Sequence, residues 1–377
     1  MRNAAALVCL MISGTPASTQ DSPPKGQLKF SLVKSAFPKG ALRLGYDFQG
    51  DPPQAGWRVT VGKDTLLFFD INGDGQLEAN NDGLGINPFG YVVPIPETLL
   101  LKTGQYRVAF DGVKCLLLTP EDLAPVQKLA SDAALVTELR VRGGLKPLVL
   151  DLKACAAAEK HLDYLKLNGL ADGSGNMTSH EEQQGRPGYT PEGAVAGRDS
   201  DIEFGSANLL TGIQNNYECA WHGSPIMYPR LFRFGVALKH GMTLFYFSQR
   251  DWKLERIYMH PPDGAVGLPR AFGQGGELPN PVPGTKNGSG CGFPVFIHLV
   301  PPYRELVSAQ VTDASGRPVT GTFSSPAKPA NPAEWPKNSG IAVFIPTKPL
   351  LANTGYRVEF KFADPKEPVK WTFTTGN

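Results

Sequence analysis

Short runs of alternating apolar and polar residues dominate the first third of the chain. Between Gln27 and Leu118 these runs are separated by glycine, proline and aspartate, which is typical of strands joined by turns. The pattern predicts a small all-β domain, a sandwich or a barrel, over residues 27–118. The alternation is clearest in residues 28–33, 42–46, 57–61, 91–95 and 106–110.

The middle of the chain changes to a helical period. Apolar residues recur three or four positions apart from 152 to 165, and Asn168-Gly169 is a C-terminal stop signal, so a helix is predicted there. A second helix is predicted over residues 207–221. Within such a helix, Glu218 and His222 stand four residues apart and face the same way. The two apolar stripes consist of Leu152, Cys155, Ala156, Leu162 and Leu165, and of Leu210, Ile213, Tyr217 and Trp221.

Alternation returns after the turn at residues 261–264, which reads Pro-Pro-Asp-Gly. The turn-rich spacing of the strand-like runs predicts an immunoglobulin-like β-sandwich over 263–377. Residues 350–358 and 371–375 resemble bacterial immunoglobulin-like modules, which usually space or present the domains beside them. The runs themselves are residues 295–300, 341–345, 356–360 and 371–374.

The composition fits an exported protein of several domains. Of the 377 residues, 41% are hydrophobic, which is enough for real cores. A positive start, an apolar run over residues 4–12 and small residues after it predict a signal peptide over 1–18, with a disordered N-terminus as the alternative. We therefore expect a secreted, periplasmic or cell-surface protein without a transmembrane helix. The net charge of +2, spread along the chain, gives no argument for a nucleic-acid partner.

Four cysteines follow the predicted signal peptide, and an even number in an exported chain permits three disulfide pairings. Four cysteines are few for so long a chain, and a small buried thiol is the commoner role for Cys155 on its alanine-rich helix. A bridge between Cys155 and Cys219 is the alternative, within the distance limits of the bond. The four are Cys115, Cys155, Cys219 and Cys291.

Most of the candidate chemistry lies in residues 179–201, a segment interrupted by glycine and proline. It contains His180, Glu181, Glu182 and Glu192. Imidazole and carboxylate groups gathered on a loop serve binding or chemistry more often than core packing. This segment is therefore the first candidate for a functional site.

Three blocks around this loop resemble the CAP superfamily of cysteine-rich secretory proteins, antigen 5 and pathogenesis-related 1, in a bacterial secreted form. Residues 142–151, RGGLKPLVLD, precede residues 158–164, AEKHLDY, as the family's R-x-x-G-L-x-P-L-x-x-D turn precedes its A-x-x-H-A-x-Y helix. Ser179-His180-Glu181 matches the family's H-S or H-E loop, and Glu192 its G-E-N glutamate. His222 matches a later histidine. The resemblance places a CAP-like domain at residues 125–260.

The resemblance implies an α-β-α sandwich for this domain. The whole chain is then expected to be a multidomain α+β protein, with the sandwich between two all-β domains. The family's cleft is lined by two histidines and two acidic residues, and some members hold a divalent metal there. The residues carried over are His180, Glu192 and His222, and Glu218 is added from helical spacing alone.

Zinc bound through His180 and His222 is one expectation for this cleft, because neutral imidazole suits zinc. The alternative is that His222 caps a helix near its C-terminus, where the helix dipole favours a cation, and that Glu181 and Glu182 are solvated. His161 is assigned to structure, half buried on its helix.

An exported binding or interaction protein is the leading functional hypothesis, and its ligand is an extracellular protein, lipid or glycan. A hydrolase, metal-assisted or Cys-dependent, is the first alternative, and a cell-surface spacer is the second. The sequence contains no G-x-S-x-G elbow, P-loop or dinucleotide fingerprint. Cys219 lies three residues from His222 without the signature of a thiol protease. These features favour binding over catalysis.

Residues 70–78 reproduce the start of a calcium loop. Oxygen-bearing side chains occupy positions one, three and five, a glycine occupies position six, and a carboxylate occupies position nine. Position twelve is Asn81 where a bidentate glutamate is usual, and Asp82 follows it. An Asn-Gly-Asp-Gly hairpin turn is the alternative. The predicted calcium ligands are Asp70, Asn72, Asp74, Gln76 and Glu78.

Calcium that binds only the folded chain should raise its melting temperature in proportion to the logarithm of the calcium concentration. The double change Asp70→Ala and Asp74→Ala should abolish this shift, which is measured against the same protein in a chelator. If wild type and variant respond alike to calcium, the loop is only a turn.

Overall fold

The computed structural model describes residues 26–37, 42–48, 50–51, 53–86, 90–173, 176–250, 257–273, 276–298, 305–332, 340–364 and 367–377. The predicted signal peptide, residues 1–18, lies outside the described residues. Within these ranges, no helix combines the length and the apolar character needed to cross a membrane.

The chain is β-rich, and the prediction of an α+β protein with a central α-β-α sandwich is wrong. Strands hold 38% and helices 19% of the described residues, and the strands form several separate sheets. The helical pattern was overestimated because glycine and proline interrupt it, so that three of the five described helices have nine residues or fewer. The five helices are α1 Gln127–Arg142, α2 Leu152–Leu167, α3 Pro191–Arg198, α4 Leu209–Tyr217 and α5 Gly223–Ile226.

The first region contains two antiparallel-rich sheets, as the alternation of residues 27–118 predicted strands. Their orders are β1-β10-β9-β8 and β2-β4-β5-β6-β7-β3. Strand β5 is buried on both faces, with Leu66 and Phe68 in one core and Leu67 and Phe69 in another. The strands are β1 Leu28–Ser31, β2 Val33–Ala36, β3 Arg43–Leu44, β4 Ala55–Val61, β5 Asp64–Phe69, β6 Gly83–Ile86, β7 Tyr91–Pro94, β8 Thr98–Leu101, β9 Gly104–Asp111 and β10 Cys115–Pro120.

The middle region holds all five helices and a four-stranded sheet of order β11-β13-β14-β12. Helix α2 packs against β13 and β14, α3 packs on α2, and α1 contacts α4. A 3-10 turn, Asn176–His180, precedes α3. The strands are β11 Val149–Leu150, β12 Ser200–Phe204, β13 Leu231–Lys239 and β14 Met242–Arg250.

Helix α2 begins and ends as its sequence predicted. The Asp151 carboxylate accepts hydrogen bonds from the backbone N–H groups of Lys153 and Ala154 and so caps the first turn. Gly169 follows the last turn with a φ of 72°, a conformation that favours glycine. The predicted apolar stripe is buried or half buried except for Ala156, which is exposed.

The third region consists of two sheets, β15-β17-β20-β19 and β16-β22-β21-β18. One buried apolar cluster contains Leu123 and Trp221 of the middle region together with Phe296 and Phe360 of the third. The two regions therefore share a core. The strands are β15 Tyr258–His260, β16 Ala265–Leu268, β17 Val295–His298, β18 Leu306–Asp313, β19 Gly321–Ser324, β20 Ile341–Pro346, β21 Gly355–Phe362 and β22 Val369–Thr375.

A buried arginine joins α1 to the segment that leads into β13. The Arg140 side chain is fully buried. Its guanidinium donates to the carbonyl oxygens of Lys146 at 2.9 Å, Ile226 at 2.7 Å, Tyr228 at 3.0 Å and Leu231 at 3.2 Å. Burial lowers the pKa of Arg140 to about 10, so the group remains charged at neutral pH.

Two buried histidines lie in the shared core among aromatic rings. The His260 ring stacks on Phe296, with centroids 4.5 Å apart, and also contacts Tyr217 and Phe293. Neither ring nitrogen of His260 has a hydrogen-bond partner among the described residues. Burial, with a smaller contribution from the neighbouring His298, lowers the pKa of His260 to about 3. The folded chain thus holds His260 as a neutral ring.

Replacing His260 with phenylalanine should make stability less sensitive to acid. Because the pKa of His260 falls from 6.5 to about 3 on folding, the unfolded chain binds this proton more readily. Stability from the neutral ring is therefore present above pH 6.5 and is lost as the pH falls toward 3. In denaturant titrations, the free energy of unfolding of wild type should therefore fall more steeply than that of His260→Phe as the pH is lowered through this range.

At pH 6.5 and above, the difference in free energy of unfolding between the two proteins reflects packing alone. Its change at lower pH reflects protonation of His260. A difference between the two proteins that stays constant across the range would contradict this account of His260.

Candidate functional site

Two of the predicted histidines line one cleft. A cleft of about 270 Å³ has His180 and His222 in its wall, with Glu203 and Glu277 among its acidic residues. The same two histidines also line a neighbouring cleft of about 700 Å³. His180 and His222 therefore lie where the two cavities adjoin.

His180 is held in one orientation by helix α3. Its Nδ1 lies 2.9 Å from the carbonyl oxygen of Gly197. A carbonyl only accepts, so Nδ1 carries the proton and donates it, which leaves Nε2 with a free lone pair. Burial lowers the pKa of His180, and this favours the neutral ring. A neutral imidazole with one free nitrogen is the form that binds metal ions.

A second histidine fixes the turn that carries His180. His161 on α2 donates from Nε2 to the carbonyl oxygen of Ser179 at 2.8 Å, and its Nδ1 lies 2.9 Å from the Glu182 carboxylate. The other carboxylate oxygen of Glu182 accepts from the N–H of Thr190 at 3.0 Å. Both side chains are fully buried. His161 is thus structural as predicted but more deeply buried, and Glu182 is not solvated.

Two glycines let α3 approach this buried pair. Gly193 and Gly197 stand four residues apart on α3, and they face Glu182 and His161 respectively. A Cβ at Gly197 would lie 2.2 Å from Cε1 of His161, and a Cβ at Gly193 would lie 2.4 Å from Oε1 of Glu182. Any larger side chain would push α3 away from the ring, and the Gly197 carbonyl that holds His180 would move with it.

His222 is positioned by a buried glutamate from a distant part of the chain. The Glu277 carboxylate accepts from the backbone N–H groups of Ala220 at 3.1 Å, Trp221 at 2.7 Å and His222 at 2.7 Å. The His222 Nδ1 lies 3.4 Å from the same carboxylate. Burial raises the pKa of Glu277 to about 8, although the three N–H groups oppose the shift. Burial also lowers the pKa of His222 to about 3.

The bonds to Glu277 also explain why α4 ends early. The helix was predicted over 207–221 but stops at Tyr217, because the N–H groups of residues 220–222 donate to Glu277 instead of to the preceding turn. Glu218 and His222 therefore do not share a helix face. The spacing argument that added Glu218 to the site does not hold.

The two glutamates predicted for the site lie outside the cleft. Glu192 is in the first turn of α3, exposed, with its carboxylate 3.3 Å from Nζ of Lys160. Glu218 follows the end of α4, and burial raises its pKa. The cleft is lined instead by Glu203, whose carboxylate accepts from Nδ2 of Asn215 at 3.0 Å, and by Glu277.

Sequence reasoning had little chance of finding these two carboxylates. Glu203 is on strand β12, two residues after the end of the candidate segment 179–201. Glu277 is 55 residues after His222 and stands in no recognisable motif. A single sequence carries no signal that brings such distant positions together.

One of the free cysteines, Cys219, belongs to a group of possible metal ligands at the site. All four cysteines of the described chain are free thiols, including Cys155 and Cys219, so no bridge joins α2 to the end of α4. Cys219, His222 and Glu277 offer ligand atoms that lie within 4.8 Å of one another. Among the described residues, these three form a group that could hold a metal ion.

The predicted calcium loop closes its own turns. The Asp70 carboxylate accepts from the N–H groups of Gly73 at 2.7 Å and Gly75 at 2.9 Å. The buried Asp82 carboxylate accepts from the N–H groups of Ile71 at 2.9 Å and Glu78 at 2.7 Å. Asp82 thereby anchors both ends of the loop. Calcium binding at residues 70–78 stays a prediction.

Comparison with known proteins gives a distant structural likeness. No family model matches the chain, and no curated protein matches it. Among solved structures, the chain is similar to the crystal structure of an extracellular protein containing an SCP domain from Bacillus anthracis str. Ames. The identity is 13%, the TM-score is 0.26, and the match covers 52% of this chain and 67% of that chain. This likeness is too distant to carry an argument about the fold or the site.

The contact between Gly197 and His161 predicts an unusual response to alanine. In a helix alanine is favoured over glycine by about 1 kcal/mol, yet Gly197→Ala should destabilise the protein by about 1–3 kcal/mol because the ring cannot move. In a His161→Ala background the same change should become stabilising, since the ring is gone. Denaturant unfolding of the four proteins measures this coupling. Equal effects of Gly197→Ala in both backgrounds would contradict the proposed contact.

Proposed function

We propose that this chain is an exported binding protein whose cleft holds a divalent metal ion between His180 and His222. The observation that carries the proposal is that two imidazoles, both kept neutral by burial, line one cleft together with Glu203 and Glu277. Neutral imidazole is the commonest protein ligand for zinc and related metals. The carboxyl groups beside it can lose their protons when the ion binds and then supply the opposite charge that a divalent ion requires.

The fixed orientation of His180 supports a binding role. Its Nδ1–H is engaged by the Gly197 carbonyl, so its Nε2 is the nitrogen available to a ligand. Metal-binding histidines usually donate their other ring N–H to a backbone carbonyl or a carboxylate, which fixes the ring before the metal arrives. His161, Glu182 and the glycines of α3 hold this arrangement from behind.

The export part of the proposal rests on the signal-like residues 1–18. A likeness of this cleft to that of CAP proteins is supported by the sequence blocks at 142–151, 158–164 and 179–181. Some members of the CAP family bind a divalent metal in this cleft, and the family as a whole has varied functions. The resemblance alone therefore does not identify a ligand. A metal-assisted hydrolase would use the same ion, and we treat it as the second candidate.

Metal binding is tested on the full chain after removal of metal with a chelator. Zinc or cobalt titrated by calorimetry should bind to wild type, and His180→Ala should weaken the affinity at least about tenfold, because a direct ligand is lost. The matched control is His240→Ala, a histidine on the turn between β13 and β14 whose ring pairs with Asp163. Glu192→Ala should also leave the affinity unchanged, since its carboxylate lies outside the cleft.

Peptide and ester hydrolysis measured in the same metal-loaded samples separates the two candidates. Turnover that disappears in His180→Ala would favour the hydrolase, and no turnover in either protein would favour binding alone. Affinity for metal that is the same in wild type, His180→Ala and His222→Ala would end the cleft proposal.

A further inference from the structure

Cys219, His222 and Glu277 form a compact group, and the last two of these residues line the cleft. Cys219 and Glu277 are buried, and the His222 side chain is 14% exposed. Their ligand atoms all lie within 4.8 Å of one another. The set combines a sulfur, an imidazole nitrogen and a carboxylate oxygen, three atom types that zinc accepts in proteins. The spacing Cys-x-x-His places two of the three on one short turn of the chain.

The distances fit a tetrahedral ion. Two ligands that are each about 2.0–2.2 Å from a tetrahedral zinc lie about 3.4 Å from each other. Nδ1 of His222 and Oε1 of Glu277 are 3.4 Å apart. The sulfur lies within 4.8 Å of both partners.

The surroundings hold the ligands in place. The Glu277 carboxylate is oriented by three backbone N–H groups, from residues 220–222, and the sulfur of Cys219 lies 3.8 Å from the carbonyl oxygen of Gly276. A side chain at Gly273 would meet that sulfur at 2.7 Å, so glycine keeps space around the thiol. Supporting contacts of this kind are typical of ligands at metal sites.

Charge also favours an ion at this position. A bound thiolate and a carboxylate carry two negative charges in a buried place, and the described residues offer no Lys or Arg ion pair to Glu277. A divalent cation would balance both charges. The thiol proton and the proton that the Glu277 carboxyl holds near neutral pH would both leave to solvent as the bonds to the metal form.

We propose that Cys219, His222 and Glu277 bind zinc as three protein ligands, with a fourth position open to the cleft that His180 lines. The inference rests on the proposed function in one respect, since His222 belongs to both. It goes further by naming a thiolate ligand and by placing the ion against residues 276–277. Three protein ligands with an open fourth position are the arrangement of zinc sites that bind a water or a further ligand.

Cobalt substitution tests the thiolate directly. Metal-free wild type titrated with cobalt should develop the near-ultraviolet sulfur-to-cobalt charge-transfer band, which requires a thiolate ligand. In Cys219→Ser the band should disappear, and zinc affinity measured by competition should fall at least about tenfold. The matched control is Cys155→Ser, a buried thiol on α2 whose sulfur accepts from the N–H of Val236. That variant should keep both the band and the affinity.

The outcomes distinguish this inference from the cleft proposal. Cobalt binding without the charge-transfer band in wild type would overturn the thiolate site, whether or not Cys219→Ser folds. If that binding is lost in His180→Ala, the cleft proposal stands alone. A band that is lost in Cys219→Ser but kept in His180→Ala would support this site and contradict the role given to His180. Absence of zinc and cobalt binding to wild type would overturn both.

Discussion

The burial of two ionisable groups, the Arg140 guanidinium and the Glu277 carboxyl, is the constraint around which the middle of this protein is arranged. A buried charge without compensation is too costly for a protein of ordinary stability. Here each group is surrounded by backbone hydrogen-bond partners, four carbonyl oxygens for the guanidinium and three N–H groups for the carboxyl. Both sets of dipoles belong to the chain between residues 220 and 231, apart from Lys146.

This short segment carries His222 and therefore connects the charge constraint to the candidate site. Glu277 holds its beginning, residues 220–222, and Arg140 holds its end, residues 226–231. A buried polar group that loses its hydrogen-bond partner typically costs about 1–3 kcal/mol, because the group is desolvated and unpaired. The position of His222 is thus fixed by hydrogen bonds at both ends of this segment. A ligand that enters the cleft meets a preformed wall.

Local features of the fold could be predicted from the sequence, and features that depend on distant contacts could not. The limits of α2 follow from Asp151 and Gly169, whose effects act within one helical turn. The strands before residue 118 follow from alternation. The length of α4 could not be predicted, because the carboxylate that ends it comes from residue 277. The fold class was wrong for a related reason, since a resemblance of short blocks says little about how much of the chain is strand.

The candidate site divides in the same way. His180 and His222 were found because their residue type and loop context are informative by themselves. Glu192 was chosen for its position in a block, but on α3 it points to solvent and pairs with Lys160. Glu203 and Glu277 were missed although they line the cleft. Carboxylates are common in any sequence, so only three-dimensional proximity distinguishes those that matter.

The contribution of residues 276–277 to the cleft argues against a C-terminal region that serves only as a spacer. The predicted boundary between the second and third regions, near residues 260–263, stays a prediction, but the cleft itself crosses it: residues 276–277 lie beyond that boundary and contact residues 219–222. The shared apolar core joins the same two regions. A spacer would be expected to contact its neighbour through a small, replaceable surface. Because Glu277 both ends α4 and lines the cleft, the chemistry available at His222 depends on the C-terminal region being folded against it.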